Sequence, residues 1–278
     1  MHLSLRTSVN RWECDENDHM NVRFFLAKHW ETLNSQLGQT DLLGAIRVHH
    51  LRFHQEARLA APLSGYLGVV EAETGEQRYM TELRQSFTQD VMSTCLHDFG
   101  HASLDGAIPL PPYAGPRGVQ DATSEFSRVA YEELAQRGFA LIGLGSIGRN
   151  ECDASGRLLP AHYMGRLSDS MPHLWGAVHE SGVLDEDEGG AVLEYRLEYF
   201  AGLRFGERFE IWSGLRGVGE KLQEFVHLVF NGERQLALVA EAVGVRLDLV
   251  QRKSKVLPAD VVALMQGQVV DRSDLTQE

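Results

Sequence analysis

The apolar positions of this chain change their period in a regular order. Over residues 3–14 they alternate loosely, as in a strand with one buried face, and this stretch is read as a first strand. From Val22 the step becomes helical: Val22, Leu26, Trp30, Leu33 and Leu37 recur at steps of four, four, three and four, the stripe that one face of an α-helix buries. Asn21 stands where an N-cap belongs and Gly38 where a C′ glycine belongs, so the spacing predicts a capped helix over 22–37. Alternation then returns. Residues 46–54, 66–71, 78–88 and 91–101 read as strands, with Pro62 and Gly65 interrupting before the second of them. Thr74-Gly75-Glu76 and Gln89-Asp90 mark turns. The pattern is a helix followed by an antiparallel meander.

Residues 105–118 break the pattern with Pro109, Pro111, Pro112, Gly115, Pro116 and Gly118, and read as a linker. A short helix is expected after it, where Phe126, Val129, Ala130 and Leu134 keep helical spacing and Gly138 ends the run. Residues 139–150 are strand-like again. The chain then repeats itself. Glu151-Cys152-Asp153 restates Glu13-Cys14-Asp15, an offset of 138 residues from Asp15 to Asp153. At the same offset Phe25 meets Tyr163, Leu26 meets Met164, Lys28 meets Arg166 and Glu31 meets Asp169. A second helix is expected over 160–175, opened by Pro160 at a first-turn position and kinked or shortened by Pro172. Strands follow at 192–200, 205–215, 222–230 and 236–249, the last two joined across the hairpin signal Asn231-Gly232. Leu51-x-Phe53 resembles Leu197-x-Tyr199, and Arg58 matches Arg204. A basic stretch, Arg252-Lys253-Ser254-Lys255, and a helix over 259–266 close the chain. The fold class is therefore α+β, written twice: a unit over 1–112, a linker with a short helix over 113–138, and a second unit over 139–278.

The chemistry concentrates in the loop before the first helix. Glu13-Cys14-Asp15-Glu16-Asn17-Asp18-His19-Met20-Asn21 places acidic groups, an imidazole and an amide on the segment that delivers the chain to a helix N-terminus. Backbone N–H groups are free there and favour developing negative charge. A carboxylate, a histidine and such a helix end together suit acyl transfer. Asp15 is able to activate water as a general base or to attack a carbonyl itself, and the sequence leaves both routes open. His19 is placed to orient the loop or touch the reacting group. Asn21 is first of all an N-cap, and the N–H groups starting at Val22 are candidates to polarise a carbonyl. Glu16 and Asp18 read as solvated. Glu31 reads as an exposed helix charge, with a second site carboxylate as its alternative.

The stretch Asp15-x-x-Asp18-His19-Met20-Asn21 resembles the D-x-x-G-H-x-N motif of hotdog-fold acyl-CoA thioesterases of the 4-hydroxybenzoyl-CoA thioesterase-like group, with Asp18 where that family usually has Gly. The resemblance implies a long central helix wrapped by a curved antiparallel sheet. The repeat implies a double hotdog, resembling the family's edge-to-edge dimer fused into one chain. It implies hydrolysis of acyl-CoA thioesters with Asp15, His19 and Asn21 as the catalytic set and no cofactor. It also implies that the second half supplies part of the pocket, for which Arg157 and Tyr163 are the substrate-binding candidates beside Val22. The second loop keeps Asp153 and has Gly156 at the family's glycine position, but Arg157 replaces the histidine and Leu159 the asparagine. A second active site is not expected, and Arg157 beside Asp153 would form an ion pair. Acyl-carrier-protein thioesters and a non-catalytic acyl-CoA-binding module are the alternative readings, and a hotdog dehydratase fits less well because its motif is not recognisable.

Other features change the picture less. His49, His50 and His54 have strand spacing that splits His49 from the other two, so a metal site is not expected. Gly143-x-Gly145-x-x-Gly148 has the letters of a dinucleotide fingerprint without a helix after it. The net charge is −13, from 39 acidic and 26 basic residues, which argues against nucleic acid as a partner while leaving an anionic acyl-CoA acceptable. Three scattered cysteines, Cys14, Cys95 and Cys152, make no disulfide framework. No apolar run reaches membrane-spanning length, and the N-terminus lacks a signal-peptide core. A cytoplasmic protein with no membrane partner is expected, and a homodimer of double hotdogs is compatible with it.

Overall fold

The computed structural model describes residues 1–15, 18–38, 42–100, 102, 106–178 and 188–275. Glu16, the end of the expected fifth strand at His101, and the start of the linker at Asp105 lie outside them. The chain forms two compact units, one of residues 1–117 with 159–165, the other of residues 118–158 with 166–278.

In the first unit the order is β1 (His2–Ser8), a 3-10 turn (Arg11–Glu13), α1 (Val22–Leu37), α2 (Leu42–Ala45), β2 (Val48–Phe53), β3 (Pro62–Glu71), β4 (Gln77–Gln85), β5 (Val91–Asp98) and β6 (Ile108–Pro109). The sheet runs β1-β3-β4-β5-β2, all antiparallel, with β6 parallel to β3. α1 packs against β1, β3, β4 and β5. Because strands surround it, α1 buries more than one stripe: Phe25, Leu26, Trp30 and Leu33, but also Lys28, His29 and Thr32. Asn21 caps it, its side chain accepting from Arg23 N–H, and Gly38 ends it in the left-handed region at φ 55°.

The expected interruption at Pro62 and Gly65 does not occur, since β3 runs through both. Pro62 is the first strand residue, where a missing N–H is tolerated. A Cβ at position 65 would collide with Thr32 Oγ1 on α1 and come within 3.0 Å of Leu5 Cβ. Gly65 is thus the point of close helix–strand approach, not a break. The first strand is also shorter than expected, giving way to the 3-10 turn that leads into the polar loop.

In the second unit the order is β7 (Ala140–Ser146), a 3-10 turn (Arg149–Glu151), α3 (Pro160–Val178, its first turn counted with the first unit), β8 (Glu188–Tyr199), β9 (Arg208–Val218), β10 (Leu222–Asn231), β11 (Leu236–Asp248), β12 (Lys253–Ser254) and α4 (Ala259–Gln266). Its sheet runs β7-β9-β10-β11-β8, with β12 on β11. This is the order of the first unit with each strand replaced by its counterpart. Each unit is thus a hotdog, and the molecule is an α+β double hotdog.

Three local expectations fail for identifiable reasons. The helix expected around 126–134 is two 3-10 turns, Glu125–Arg128 and Tyr131–Glu133, with Val129 and Ala130 extended between them. A spacing of three satisfies a 3-10 turn as well as an α-helix, and Phe126, Val129 and Leu134 still reach the core beside Phe139, Val226 and Phe230. Pro172 does not shorten α3, which continues to Val178, because buried Leu167 and Leu174 anchor the turns on both sides. The β10–β11 connection is longer than a two-residue turn on Asn231-Gly232. Asn231 N–H bonds Gln235 O, and Arg234, at φ 62°, is the left-handed residue. The Asn231 side chain accepts from Glu233 and Gln235 N–H, which closes the wider loop without glycine in the left-handed position.

Among the described residues no helix is long and apolar enough to cross a membrane.

Candidate active site

The polar loop of the first unit is pinned at three levels. Beneath it, Val9, Met20, Phe25, Ala57, Leu63, Leu83 and Met92 form a core cluster. At its ends, Cys14 bridges Met20 and His19 bridges Arg58 in antiparallel fashion, and Met20 N–H donates to Ala57 O at 2.7 Å. At its root, Glu13 is buried. Its carboxylate accepts from Asn10 N–H at 2.8 Å and pairs with Lys28 Nζ of α1 at 2.8 Å. The loop's hairpin closes through Asp15 N–H to His19 O, 3.0 Å, and Asp18 N–H to Asp15 O, 3.2 Å. Asp18 takes φ 60°, which is why the family's motif favours glycine there. Asp is among the few side chains that enter this region at modest cost. Asp18 is exposed and lies 3.3 Å from Arg11.

This closure brings two of the sequence candidates together. His19 Nδ1 lies 3.1 Å from Asp15 Oδ2, both side chains less than one-fifth exposed. His19 Nε2 lies 3.7 Å from Glu56 Oε1. The imidazole thus has a carboxylate at each ring nitrogen and is placed to hold or pass a proton between them. Asn21 serves as the cap of α1: its side chain accepts from Arg23 N–H, its carbonyl accepts from Phe24 and Phe25 N–H, and its own N–H donates to Glu13 O. The remaining first-turn donor, Val22 N–H, has no bond among the described residues. A helix end with a free N–H three residues after His19 is the electrostatic element that acyl transfer uses.

Glu56 was missed by the sequence reading. The available signal was the second copy. His19 bridges Arg58 as Arg157 bridges Arg204, and the Ala57 carbonyl that holds Met20 has its counterpart in the Leu203 carbonyl that holds Leu158. In this alignment Glu56 falls on Gly202, a carboxylate that disappears together with the histidine and the asparagine. Arg23 is a second missed residue, its guanidinium 3.1 Å from His162 Nδ1 at the start of α3.

The second loop has the same backbone and different chemistry. Gly156 takes φ 82° where Asp18 takes 60°. Glu151 accepts from Gly148 N–H and pairs with Arg166, as Glu13 does with Asn10 and Lys28. Asp153 is committed as an acceptor: Oδ1 takes bonds from Ser155 N–H, Ser155 Oγ–H and Arg157 N–H at 2.8–2.9 Å. Burial pushes its carboxyl up, but the Arg157 and Ser155 bonds outweigh burial and hold it below the usual carboxylate range. The expected Arg157–Asp153 partnership therefore runs through the Arg157 backbone N–H. Tyr163 is buried on α3, and Glu31 is exposed. Gly143 and Gly145 sit on β7, where a Cβ would strike Ser170 and the Phe209 ring. Their spacing serves packing, not phosphate binding. In the basic stretch, Lys255 pairs with Glu188.

No family model and no curated protein sequence matches the chain. Solved structures do resemble it. A protein assigned as an oleoyl thioesterase from Lactobacillus plantarum superposes with a TM-score of 0.57 at 10% identity, over 87% of this chain and 95% of its own. An acyl-ACP thioesterase from Bacteroides thetaiotaomicron gives 0.56 at 10% identity, over 86% and 96%. The 12:0-ACP thioesterase from Umbellularia californica gives 0.56 at 12% identity, over 86% and 92%. The likeness spans both units and is one of fold: this chain has the double-hotdog architecture of those acyl thioesterases.

Proposed function

We propose that the protein is a thioester hydrolase acting on acyl-CoA, with its reaction centre on the first loop. The observation that carries this reading is the Asp15–His19 pair, 3.1 Å apart, on the loop that ends at the N-terminus of α1. Asp15 is the base that activates water or the nucleophile that attacks the thioester carbonyl. His19 positions it and exchanges protons with it, Glu56 holds the other side of the imidazole, and Val22 N–H stabilises the developing oxyanion. Such donors commonly contribute about 10²–10³ in rate. Arg157 and Tyr163 remain the proposed substrate contacts of the second half. The loop of Asp153 serves the fold, because Oδ1 of its carboxylate is already engaged by its own turn.

A second reading has a specific observation behind it. Two of the full-length structural neighbours act on acyl-carrier-protein thioesters by name, and the acyl group would reach the same loop from either carrier. The experiment that separates the readings is thiol release from matched acyl-CoA and acyl-carrier-protein panels of graded chain length. Faster turnover of the CoA panel is expected. Preference for the protein carrier would favour the second reading, and saturable binding without thiol would make the protein a binding module. A single turnover in ¹⁸O-water distinguishes the two routes for Asp15. Label in the Asp15 carboxylate shows attack by Asp15 followed by hydrolysis of the anhydride at the Asp15 carbonyl, whereas base catalysis places label only in the product acid.

A further inference from the structure

Inside the first unit, away from the polar loop, three histidines converge with no carboxylate among them within the described residues. His49 on β2 and His97 on β5 are cross-strand partners, and their Nδ1 atoms lie 2.9 Å apart. Their rings meet edge to face with centroids 4.9 Å apart, and Trp30 packs against His49 from α1. Cys95 lies two residues before His97, on the same face of β5, with its Sγ 3.8 Å from His97 Nδ1. His49, Cys95 and His97 are all fully buried, and one donor atom from each lies within 4.8 Å of the others. The sequence expectation of no metal rested on the strand spacing of His49, His50 and His54 and on the lack of a Cys or carboxylate in ligand spacing nearby; the partners of His49 come from β5.

We propose that His49, Cys95 and His97 form a closed three-coordinate site for a soft monovalent ion, Cu(I), bound by one thiolate and two imidazoles.

Three features favour it. The first is geometry. Bond lengths of about 2.0–2.1 Å to imidazole and about 2.3 Å to thiolate place neighbouring donors roughly 3.5–3.8 Å apart in a trigonal site. The two Nδ1 atoms, 2.9 Å apart, have to open by about 0.6 Å to share a metal, while the 3.8 Å between Cys95 Sγ and His97 Nδ1 already fits, so the adjustment is smaller than a side-chain rotamer change. The second is the outer shell. His97 Nε2 bonds Thr81 Oγ1 at 2.8 Å, Thr81 Oγ1 bonds His29 Nδ1 at 2.7 Å, and His29 Nε2 bonds Ser93 Oγ at 2.8 Å. With metal at Nδ1, His97 carries its proton on Nε2 and donates to Thr81. The Thr81 hydroxyl then donates to His29, and His29 donates to Ser93. A ligating histidine whose other N–H is fixed in this way is the usual support for a metal site. The third is charge. Cu⁺ and one thiolate sum to zero, whereas a divalent ion would leave a net positive charge in a fully buried position that no acid offsets. Soft thiolate ligands also select Cu(I).

Binding displaces one proton. The S–H bond of Cys95 breaks, its proton leaves to solvent, and the sulfur lone pair forms the S–Cu bond. The proton shared between the two Nδ1 atoms moves to Nε2 of its ring, and no electron is transferred. Burial keeps both imidazoles neutral, His97 with a pKa pulled down to about 3, which is the form that ligates. Burial also pushes the Cys95 thiol up, so the thiol keeps its proton until the metal displaces it.

The test is anaerobic titration of the full chain with Cu(I) against a chromogenic Cu(I) chelator, with Zn²⁺ in a parallel arm. Retention of one Cu(I) per chain is expected, with X-ray absorption showing one sulfur and two imidazole nitrogens. Cys95→Ala should abolish retention and Thr81→Val should weaken it about 10–100-fold, while Cys14→Ala with Cys152→Ala should leave it unchanged. No retained copper, a two-sulfur shell, retention that survives Cys95→Ala, or preference for Zn²⁺ would each overturn the assignment. If Cys95→Ala does not fold, the ligand shell of the unmodified chain decides.

Discussion

At the scale of single residues the two loops hold their carboxylates differently. Asp15 faces an imidazole, and Asp153 faces its own backbone. Asp15→Asn is therefore expected to lower thiol release by on the order of 10²–10⁴ without lowering the melting temperature. Asp153→Asn is expected to retain most activity per folded molecule, with any loss appearing as a lower melting temperature. Steady-state kinetics beside a thermal melt checks both, and equal catalytic losses would show that the second loop works as well. Glu56 stands 3.7 Å from His19 and, in the proposed function, acts through it. Glu56→Gln should lower kcat more than it changes KM and should alter the pH profile of kcat, whereas a purely structural role would leave that profile in place.

At the scale of elements, each loop is tied to its helix by one ion pair, but the two pairs are not equally buried. Lys28 and Glu13 are 4% and 10% exposed at their side chains, Arg166 and Glu151 26% and 17%. Removing one partner of a buried pair strands the other, at a cost of about 3–5 kcal/mol. Lys28→Met should thus destabilise the chain by about that amount in chemical denaturation, and adding Glu13→Gln should recover much of it. Arg166→Met should cost less, because water reaches Glu151. Equal losses would mean that burial does not set the difference. The helices themselves differ in legibility. α1 was bounded at both ends from its stripe and caps, while the 126–134 segment was misread because a three-residue step cannot tell a 3-10 turn from an α-helix.

At the scale of the whole molecule, the buried histidines set the acid limit of stability. His29, His49, His97 and His227 are all depressed by burial, His97 and His227 to about 3. In the unfolded chain each titrates near 6.5. Between that value and the folded one the unfolded state binds more protons, so stability rises with pH across the window and is lost as pH falls through it. His97 and His227 should each remove about 2 kcal/mol between pH 7.5 and pH 5. Urea midpoints at the two pH values test this, and replacing His227 with a neutral isostere such as Gln should flatten the dependence. A midpoint that does not fall on acidification would contradict it.

The sequence by itself determined what depends on near neighbours. It set the stripe and caps of α1, the bounds of α4, the polar loop with Asp15, His19 and Asn21, and the repeat in which Glu151-Cys152-Asp153 restates Glu13-Cys14-Asp15. These rest on periodicity, capping and turn chemistry, which act over a few residues. Only the tertiary structure decided what depends on strand order. β2 lies beside β5, which carries His97 to His49 across 48 residues and makes a convergent donor set out of residues whose own strands show none. The turn after β2 swings Glu56 to the far side of His19. α1 is enclosed by strands, which is why Lys28, His29 and Thr32 are buried and why Gly65 is required. No local pattern encodes these meetings, because the free energy that fixes them comes from burying the sheet's face against α1, and that sum is made over the whole unit.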